Sequence, residues 1–342
     1  MDYLTTSVVT GVQMRAWQIT RLGQPEDALE LVESPDRVPA PGEVAVRVSA
    51  AALGFPDLLL CRGDYHDKPE LPFTIGGEAA GTVVEIGPDV DGVDVGDRVI
   101  VTAGATVGGT LADRLVVPVD RILPAPDGMP LEQAAAFFVA YQTSYMALFR
   151  RAGLRSGETL LVHGASGGIG SAAVQLGKAV GARVIAVAGG RAKAEVCRRL
   201  GADEVIDHRE EDFVAAVKTL TGGRGADVIY DSVGGDVFDR SRRCIAVEGR
   251  LLVVGFAGGT IPQFSVNHAL LKNYSVVGFR TRPFRDDPVY VREVHDALCD
   301  FHSRGLVSPL VDTVDFDAVP KAVRELGDRT VVGRLVVQIP EA

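Results

Sequence analysis

Residues 158–170, Glu-Thr-Leu-Leu-Val-His-Gly-Ala-Ser-Gly-Gly-Ile-Gly, constrain the fold more than any other stretch of the chain. Leu160, Leu161 and Val162 form the short apolar run of a buried parallel strand, which breaks into a turn holding Gly164, Gly167, Gly168 and Gly170. Ala172, Ala173, Leu176, Ala179 and Val180 then recur at helical spacing, so the glycines stand where a strand hands over to a helix N-terminus. Such a junction can bind a pyrophosphate. Free backbone N–H groups and the positive end of the helix dipole meet there, and the missing Cβ atoms admit phosphate oxygens. The pattern reads Ala165-x-Gly167-Gly168-x-Gly170, with Ala where the first Gly usually stands. It sits inside a strand, turn, helix, strand unit of about thirty residues, the setting that gives the fingerprint its meaning.

That unit sets the pattern for the second half of the chain, where strands alternate with helices as in a parallel sheet covered on both faces. Strands are predicted at 159–163, 183–187, 204–206, 227–231, 250–254 and 275–279, and helices at 169–180, 192–200, 211–219, 237–244 and 266–272. Six strands make a complete α/β, doubly wound nucleotide-binding sheet. The first half differs. Short strands at 15–20, 43–49, 78–86, 98–102 and 111–117, punctuated by Pro and Gly, predict a β-rich, barrel-like domain. A helical segment at 131–150 leads out of it. Beyond residue 279 a polar loop at 280–287 precedes a helix at 288–303 and closing strands such as 334–339, which return to the first domain. The expected division is 1–130 with 281–342 for the β-rich domain and 131–280 for the nucleotide-binding one.

A length of 342 residues suits two domains, each with its own core. The net charge of −10, from 35 basic and 45 acidic residues, supplies no overall positive field for nucleic acid or an anionic membrane. Apolar runs fall short of the roughly 18–20 residues of a membrane-spanning helix. Residues 1–13 lack Lys and Arg and do not read as a signal peptide; Met14 is an alternative start to Met1, which would leave an extension ahead of the first strand. Cys61, Cys197, Cys244 and Cys299 show no paired spacing, which fits a reducing, cytoplasmic setting.

The choice of dinucleotide turns on the end of the second strand. An acidic residue there accepts hydrogen bonds from a free ribose 2′-hydroxyl and repels a 2′-phosphate. This chain has Ala188-Gly189-Gly190-Arg191-Ala192-Lys193, with no carboxylate before Glu195. Charge-assisted hydrogen bonds from Arg191 and Lys193 would contribute about 1.5–3 kcal/mol each, and cations are otherwise poorly placed at a helix start. NADPH is expected over NADH.

With Gly76-Gly77-Glu78-Ala79-Ala80-Gly81 and Val95-Gly96-Asp97-Arg98-Val99 added to the glycine turn, residues 14–339 resemble the medium-chain dehydrogenase/reductase superfamily. The phrases at 163–170, Gly201-Ala-Asp-Glu-Val-Ile-Asp207 and Val277-Gly-Phe-Arg-Thr-Arg-Pro283 are most similar to its zinc-free quinone oxidoreductase (zeta-crystallin-like) group. The resemblance implies a Rossmann domain joined to a GroES-like catalytic domain. Zinc-dependent relatives carry Gly-His-Glu where Gly77 stands here, and a catalytic Cys in the loop that here reads Gly54-Phe55-Pro56-Asp57. Their four-cysteine zinc lobe gives way to a short Gly/Ala/Thr connection at 98–113. Cys61 and His66 alone make no zinc site, so no metal is expected. Without a Lewis acid the chain suits hydride transfer to an electron-poor small molecule, a quinone or an enone.

By resemblance, Ser166, Gly167, Gly168, Ile169 and Gly170 hold the pyrophosphate, and Gly189, Arg191, Lys193 and His208 hold the adenosine end. His208 stands where the family often has Tyr. Thr143, Val233, Phe256, Phe279 and Thr281 line the nicotinamide. On the substrate side stand Phe55, Asp57, Leu59 and Tyr65, with Tyr65 the candidate proton donor. Gly54 and Leu59 replace the Asn and Tyr of many relatives, which thins the polar contacts of the pocket. Arg280, Arg282 and Arg285 make a cationic loop facing cofactor, acidic substrate or solvent. A homodimer through 276–279 is implied as well. Two other readings stay open: reduction of an enoyl thioester such as an acyl-CoA, and a crystallin-like NADPH-binding protein with a structural or regulatory role.

Overall fold

The computed structural model describes the backbone of residues 9–102 and 109–340. Met1 and the middle of the 98–113 connection lie outside the described residues. The chain folds as two compact units, Met1–Phe138 with Val311–Ala342, and Val139–Leu310. The domain boundaries expected near 130 and 280 thus lie earlier in the chain than these divisions, and the helix Pro288–Ser303 falls in the second unit.

The second unit is a six-stranded parallel sheet. Its strands are β1 (Thr159–His163), β2 (Arg183–Ala188), β3 (Glu204–Asp207), β4 (Ala226–Asp231), β5 (Ile245–Val253) and β6 (Ser275–Gly278). They lie in the order β3-β2-β1-β4-β5-β6. All neighbours are parallel, so the order reverses between β1 and β4, the crevice where such sheets bind dinucleotides. Every residue of β1 is buried. Leu161, Ile185, Ile229 and Leu251 meet Phe213 and Phe238 in one core. The helix predicted over 131–150 is broken: a turn at Leu131–Ala134 belongs to the first unit, and wide π-turns at Phe138–Gln142 and Met146–Arg151 flank Thr143–Tyr145. Apolar spacing runs through both kinds of turn, so it does not report the change.

In the first unit a sheet runs 311–315, 334–338, 43–53, 78–86, 98–101, 122–124, with 114–118 also pairing to 43–53. A smaller sheet orders Leu29–Arg37, Val9–Ile19 and Phe73–Thr74. The first strand therefore begins before Met14, and Gln13 pairs with Pro35. Strands Leu29–Arg37 and Val311–Asp315 escape the sequence reading because both are edge strands, one carrying Pro35 and the other three Asp/Thr positions among five. Residues 55–62 form a helix rather than a loop, opened by Pro56 and burying Leu58 and Cys61.

Candidate functional site

The glycine turn follows from packing. Gly164 takes φ 61°, a left-handed conformation suited to glycine. A Cβ on Gly170 would collide with the Gly164 carbonyl, so the helix Gly168–Ala179 can start this close to β1 only with glycine at that position. Gly167 caps the helix in an extended conformation, and its carbonyl accepts from Ser171 N–H at 2.8 Å. Ser144 Oγ donates to the Ile169 carbonyl at 2.9 Å and lies 3.1 Å from the Tyr230 hydroxyl, which donates to it in turn. Ser166 is buried, while Gly167, Gly168 and Ile169 are half-buried at the helix start, where the dipole favours an anion. Ser144 and Tyr230 were not among the sequence candidates. Ser144 lies 25 residues before Ile169 and 86 before Tyr230, and neither residue type signals the contact.

At the end of β2 the structure gathers Gly189, Gly190, Lys193, His208 and Arg209. A Cβ on Gly189 would lie 2.7 Å from His208 Nε2 and 3.3 Å from Arg209 Nε. Gly190 has φ 91° and donates its N–H to Asp207 Oδ1 at 2.8 Å; the same oxygen accepts from Arg209 N–H at 3.0 Å. These two bonds hold the Asp207 carboxyl below its ordinary range. Burial, then the charge of Arg209, pushes the half-buried Lys193 ammonium down. Arg191 is exposed on the first turn of the helix Arg191–Arg199. Arg209 is the residue the sequence reading missed; its signal is the basic pair His208-Arg209 directly after β3.

Val233 and Phe256 come together at the carboxyl ends of β4 and β5. Asp231 is 1% exposed, and its Oδ1 accepts from Val233 N–H at 2.8 Å and Gly234 N–H at 2.9 Å. Burial pushes its carboxyl up against the pull of both bonds. A Cβ on Gly234 would stand 2.8 Å from Phe256 Cδ1, and one on Gly164 3.7 Å from Val233 Cγ2, so glycine turn, Val233 and Phe256 form one continuous surface. Asp231 is a further residue beyond the sequence candidates; an Asp before Ser-Val-Gly-Gly is an Asx-turn signal. Thr143 is half-buried between the two π-turns, next to Ser144. Phe279 and Thr281 follow β6. Phe279 stacks on Phe284 with centroids 5.9 Å apart, and the Thr281 carbonyl accepts from Phe284 N–H at 2.9 Å. The polar loop expected at 280–287 thus contains a helical turn, Arg282–Arg285.

In the first unit Asp57 sits at the start of the helix Phe55–Arg62, 5% exposed. Oδ2 accepts from Gly54 N–H at 2.7 Å and Oδ1 from Gly76 N–H at 3.1 Å, so one carboxylate ties two loops. Burial raises its pKa against both bonds and the charge of Arg334. Phe55 packs against the core and Leu59 is half-buried. Tyr65 is half-buried, its ring 4.0 Å from that of His66. Glu78, fully buried, accepts from Arg334 Nη2 at 2.5 Å.

The donor set does not fit zinc. Gly54 and Gly77 offer no ligand atom, burial pushes the Cys61 thiol up to about 12, and His66 is exposed beside Asp67. Among the described residues no group of three or more His, Cys, Asp or Glu could hold a metal ion, and no helix is long and apolar enough to cross a membrane. The glycine turn and the Gly189 cradle, each shaped by atoms a Cβ would strike, do fit a dinucleotide.

Residues 40–127 match the alcohol dehydrogenase GroES-like domain, and residues 168–295 the zinc-binding dehydrogenase family. Quinone oxidoreductase-like protein 2 homolog of Nematostella vectensis is 38% identical over 299 residues, covering 86% of this chain and 81% of its own. The crystal structure of a probable oxidoreductase from Mycobacterium abscessus superimposes with a TM-score of 0.85 at 36% identity, covering 96% of this chain and 99% of that one. That of Escherichia coli quinone oxidoreductase complexed with NADPH does so with a TM-score of 0.86 at 29% identity, covering 95% and 100%. The second match carries a family description that includes zinc, yet the zinc positions of this chain are glycines. The chain is an oxidoreductase of the medium-chain dehydrogenase/reductase superfamily, and it belongs to the zinc-free quinone oxidoreductase-like group.

Proposed function

We propose that the protein is a zinc-independent, NADPH-dependent reductase of quinones or enones. The observation that carries the choice of NADPH is the cluster of Lys193, His208 and Arg209 around Gly189, with Asp207 committed to two backbone N–H groups rather than facing a ribose. Ser166 to Gly170 would hold the pyrophosphate, Gly189, Arg191, Lys193, His208 and Arg209 the adenosine 2′-phosphate, and Thr143, Val233, Phe256, Phe279 and Thr281 the nicotinamide. When bound, the nicotinamide supplies a hydride. The chain's own work is placement. Asp57 fixes the loops at Gly54 and Gly76, Phe55 and Leu59 offer apolar contact to an acceptor, and Tyr65 gives a proton to the developing enolate.

The protein works as a homodimer in the cytoplasm. Four free cysteines among the described residues fit a reducing compartment. β6 edges its sheet, and Val266, Leu270 and Leu271 nearby are each more than 70% exposed, with Val276 at 37%. A second copy joining β6 to β6 would cover that edge and that apolar surface. Leu270→Glu is expected to shift sedimentation to the monomer; an unchanged dimer excludes this face.

The test of function is oxidation of NADPH and of NADH over a panel of quinones, enones and enoyl thioesters. Turnover of quinones or enones with NADPH preferred supports the proposal. Tighter binding of NADH overturns the cofactor choice, and tight NADPH binding with no turnover on any acceptor favours the structural or regulatory reading. Tyr65→Phe is expected to slow enone reduction with NADPH affinity unchanged.

A further inference from the structure

Arg334 opens the strand Arg334–Gln338 of the first unit, and its side chain is 12% exposed. Nη2 donates to Glu78, which is fully buried, and Glu78 is the guanidinium's one hydrogen-bond partner among the described residues. Nε is buried and meets no protein acceptor there. Nη1 stands 2.9 Å from the point where a Cβ on residue 54 would lie. Gly54 has φ −138° and ψ 165°, extended backbone that any residue adopts, so glycine gives this position room rather than conformational freedom. The guanidinium uses that room. The Gly54 N–H is pinned by Asp57, whose other oxygen holds Gly76, so the backbone beside Nη1 is fixed.

We infer that Arg334 is a catalytic residue of the acceptor site: its Nη1, seated against Gly54, hydrogen-bonds the acceptor's carbonyl oxygen and holds the negative charge that gathers there during reduction. The inference rests on the acceptor reading proposed above. In that reduction a C–H bond forms at the β-carbon of the enone, or at the ring carbon β to a quinone carbonyl, and the carbon–carbon π bond breaks. The electron pair comes to rest on the carbonyl oxygen as an enolate, a proton from Tyr65 or water completes the product, and the nicotinamide donor is oxidised by two electrons. A quinone's ring then shifts a proton from that carbon to its second oxygen to become the hydroquinone. A guanidinium stays protonated at every working pH, so Arg334 stabilises charge and never supplies the proton. Glu78 fixes the plane of the group through Nη2 and leaves the opposite edge for the acceptor. A hydrogen-bond donor placed where charge develops acts at the barrier more than on ground-state binding. Arg334 therefore stands beside Gly54, one of the two positions where the usual polar contacts are thinned.

The test uses 4-nitrophenol as a probe of oxyanion binding, alongside quinone turnover. Removing Arg334 alone would strand a buried carboxylate, so the variant is Arg334→Met with Glu78→Gln. With NADP+ present, the parent protein is expected to bind the phenolate in preference, lowering the bound probe's titration midpoint by about one to three pH units. The double variant loses that displacement. Its kcat for quinone reduction falls by about 10²- to 10³-fold, with KM and NADPH affinity little changed. Gly54→Ala, which pushes Nη1 aside while keeping the charge, lowers kcat in the same direction by less. An identical probe titration in the parent and the double variant, or full turnover in Gly54→Ala, overturns the assignment. A parent that displaces the probe titration but reduces no quinone or enone keeps the oxyanion site and sinks the acceptor reading. A double variant that reduces quinones at the parent rate keeps that reading and removes Arg334 from it.

Discussion

Gly170 and Gly54 both stand where a side chain has no room, and what fills the room differs. At Gly170 the obstacle is the backbone of Gly164, a neighbour within the same turn. At Gly54 it is a guanidinium nitrogen of Arg334, from the far end of the chain. A backbone obstacle serves the fold, since the helix can approach β1 in no other way. A side-chain obstacle leaves more freedom, because a guanidinium can move aside where backbone cannot. The glycine turn of the second unit is thus built from local sequence, and the packing around Gly54 in the first unit from long-range pairing.

The largest expected effect breaks the long-range side. Glu78→Ala leaves the Arg334 guanidinium without its buried partner and is expected to destabilise the protein by about 3–5 kcal/mol, read by denaturant melts. A loss below about 1 kcal/mol would mean that the pair is not what holds Arg334. Next comes the local side. Gly170→Val forces backbone to move and should cost about 1–3 kcal/mol together with NADPH binding, whereas Gly54→Ala should melt close to the parent. Equal losses at both glycines would erase the distinction between them.

The strand that feeds the turn supplies a pH test. Burial, then the charges of His208 and Arg240, pushes the His163 imidazole down to about 3, and Nε2 lies 2.8 Å from Ser241 Oγ. The folded state therefore keeps His163 neutral while the unfolded chain takes up a proton below about 6.5. Stability from this residue is complete above that pH and is lost as pH falls toward 3, approaching about 1.4 kcal/mol per pH unit. His163→Asn should show a shallower acid slope and little change of slope above pH 7. Matching slopes in parent and variant below pH 6.5 would show that His163 does not titrate this way.

The smallest effect on stability and a clear one on selectivity belong to Arg209. Arg209→Gln should leave the melt within about 0.5 kcal/mol of the parent and reduce the preference for NADPH over NADH by about tenfold or more. Unchanged selectivity would return the 2′-phosphate contact to Arg191 and Lys193 alone.

These contrasts also mark what a reader of the sequence can reach. The six-stranded sheet and its glycine turn are legible because period, turn chemistry and spacing lie within a few residues of one another. Lys193 is legible for the same reason, two positions past the start of its helix. Arg209 is less so: its basic pair with His208 is local, but it joins Gly189 only when β3 pairs with β2. Arg334 and Glu78 lie 256 residues apart, and no local pattern links an Arg on a closing strand to a Glu in Gly76-Gly77-Glu78. The edge strands Leu29–Arg37 and Val311–Asp315 were hidden by the Pro, Asp and Thr that suit an edge and read as loop. The helix Phe55–Arg62 was hidden by its length, eight residues opened by a proline, too few for a period to declare itself.

The activity proposed for this protein is reduction of an electron-poor acceptor by NADPH without a metal. Its most direct test is NADPH oxidation by a quinone, measured before and after exhaustive chelation and again after zinc is added back. Equal rates throughout are the predicted result, with a fall in rate when Arg334 and Glu78 are replaced together. Activity that disappears on chelation and returns with zinc would contradict the account.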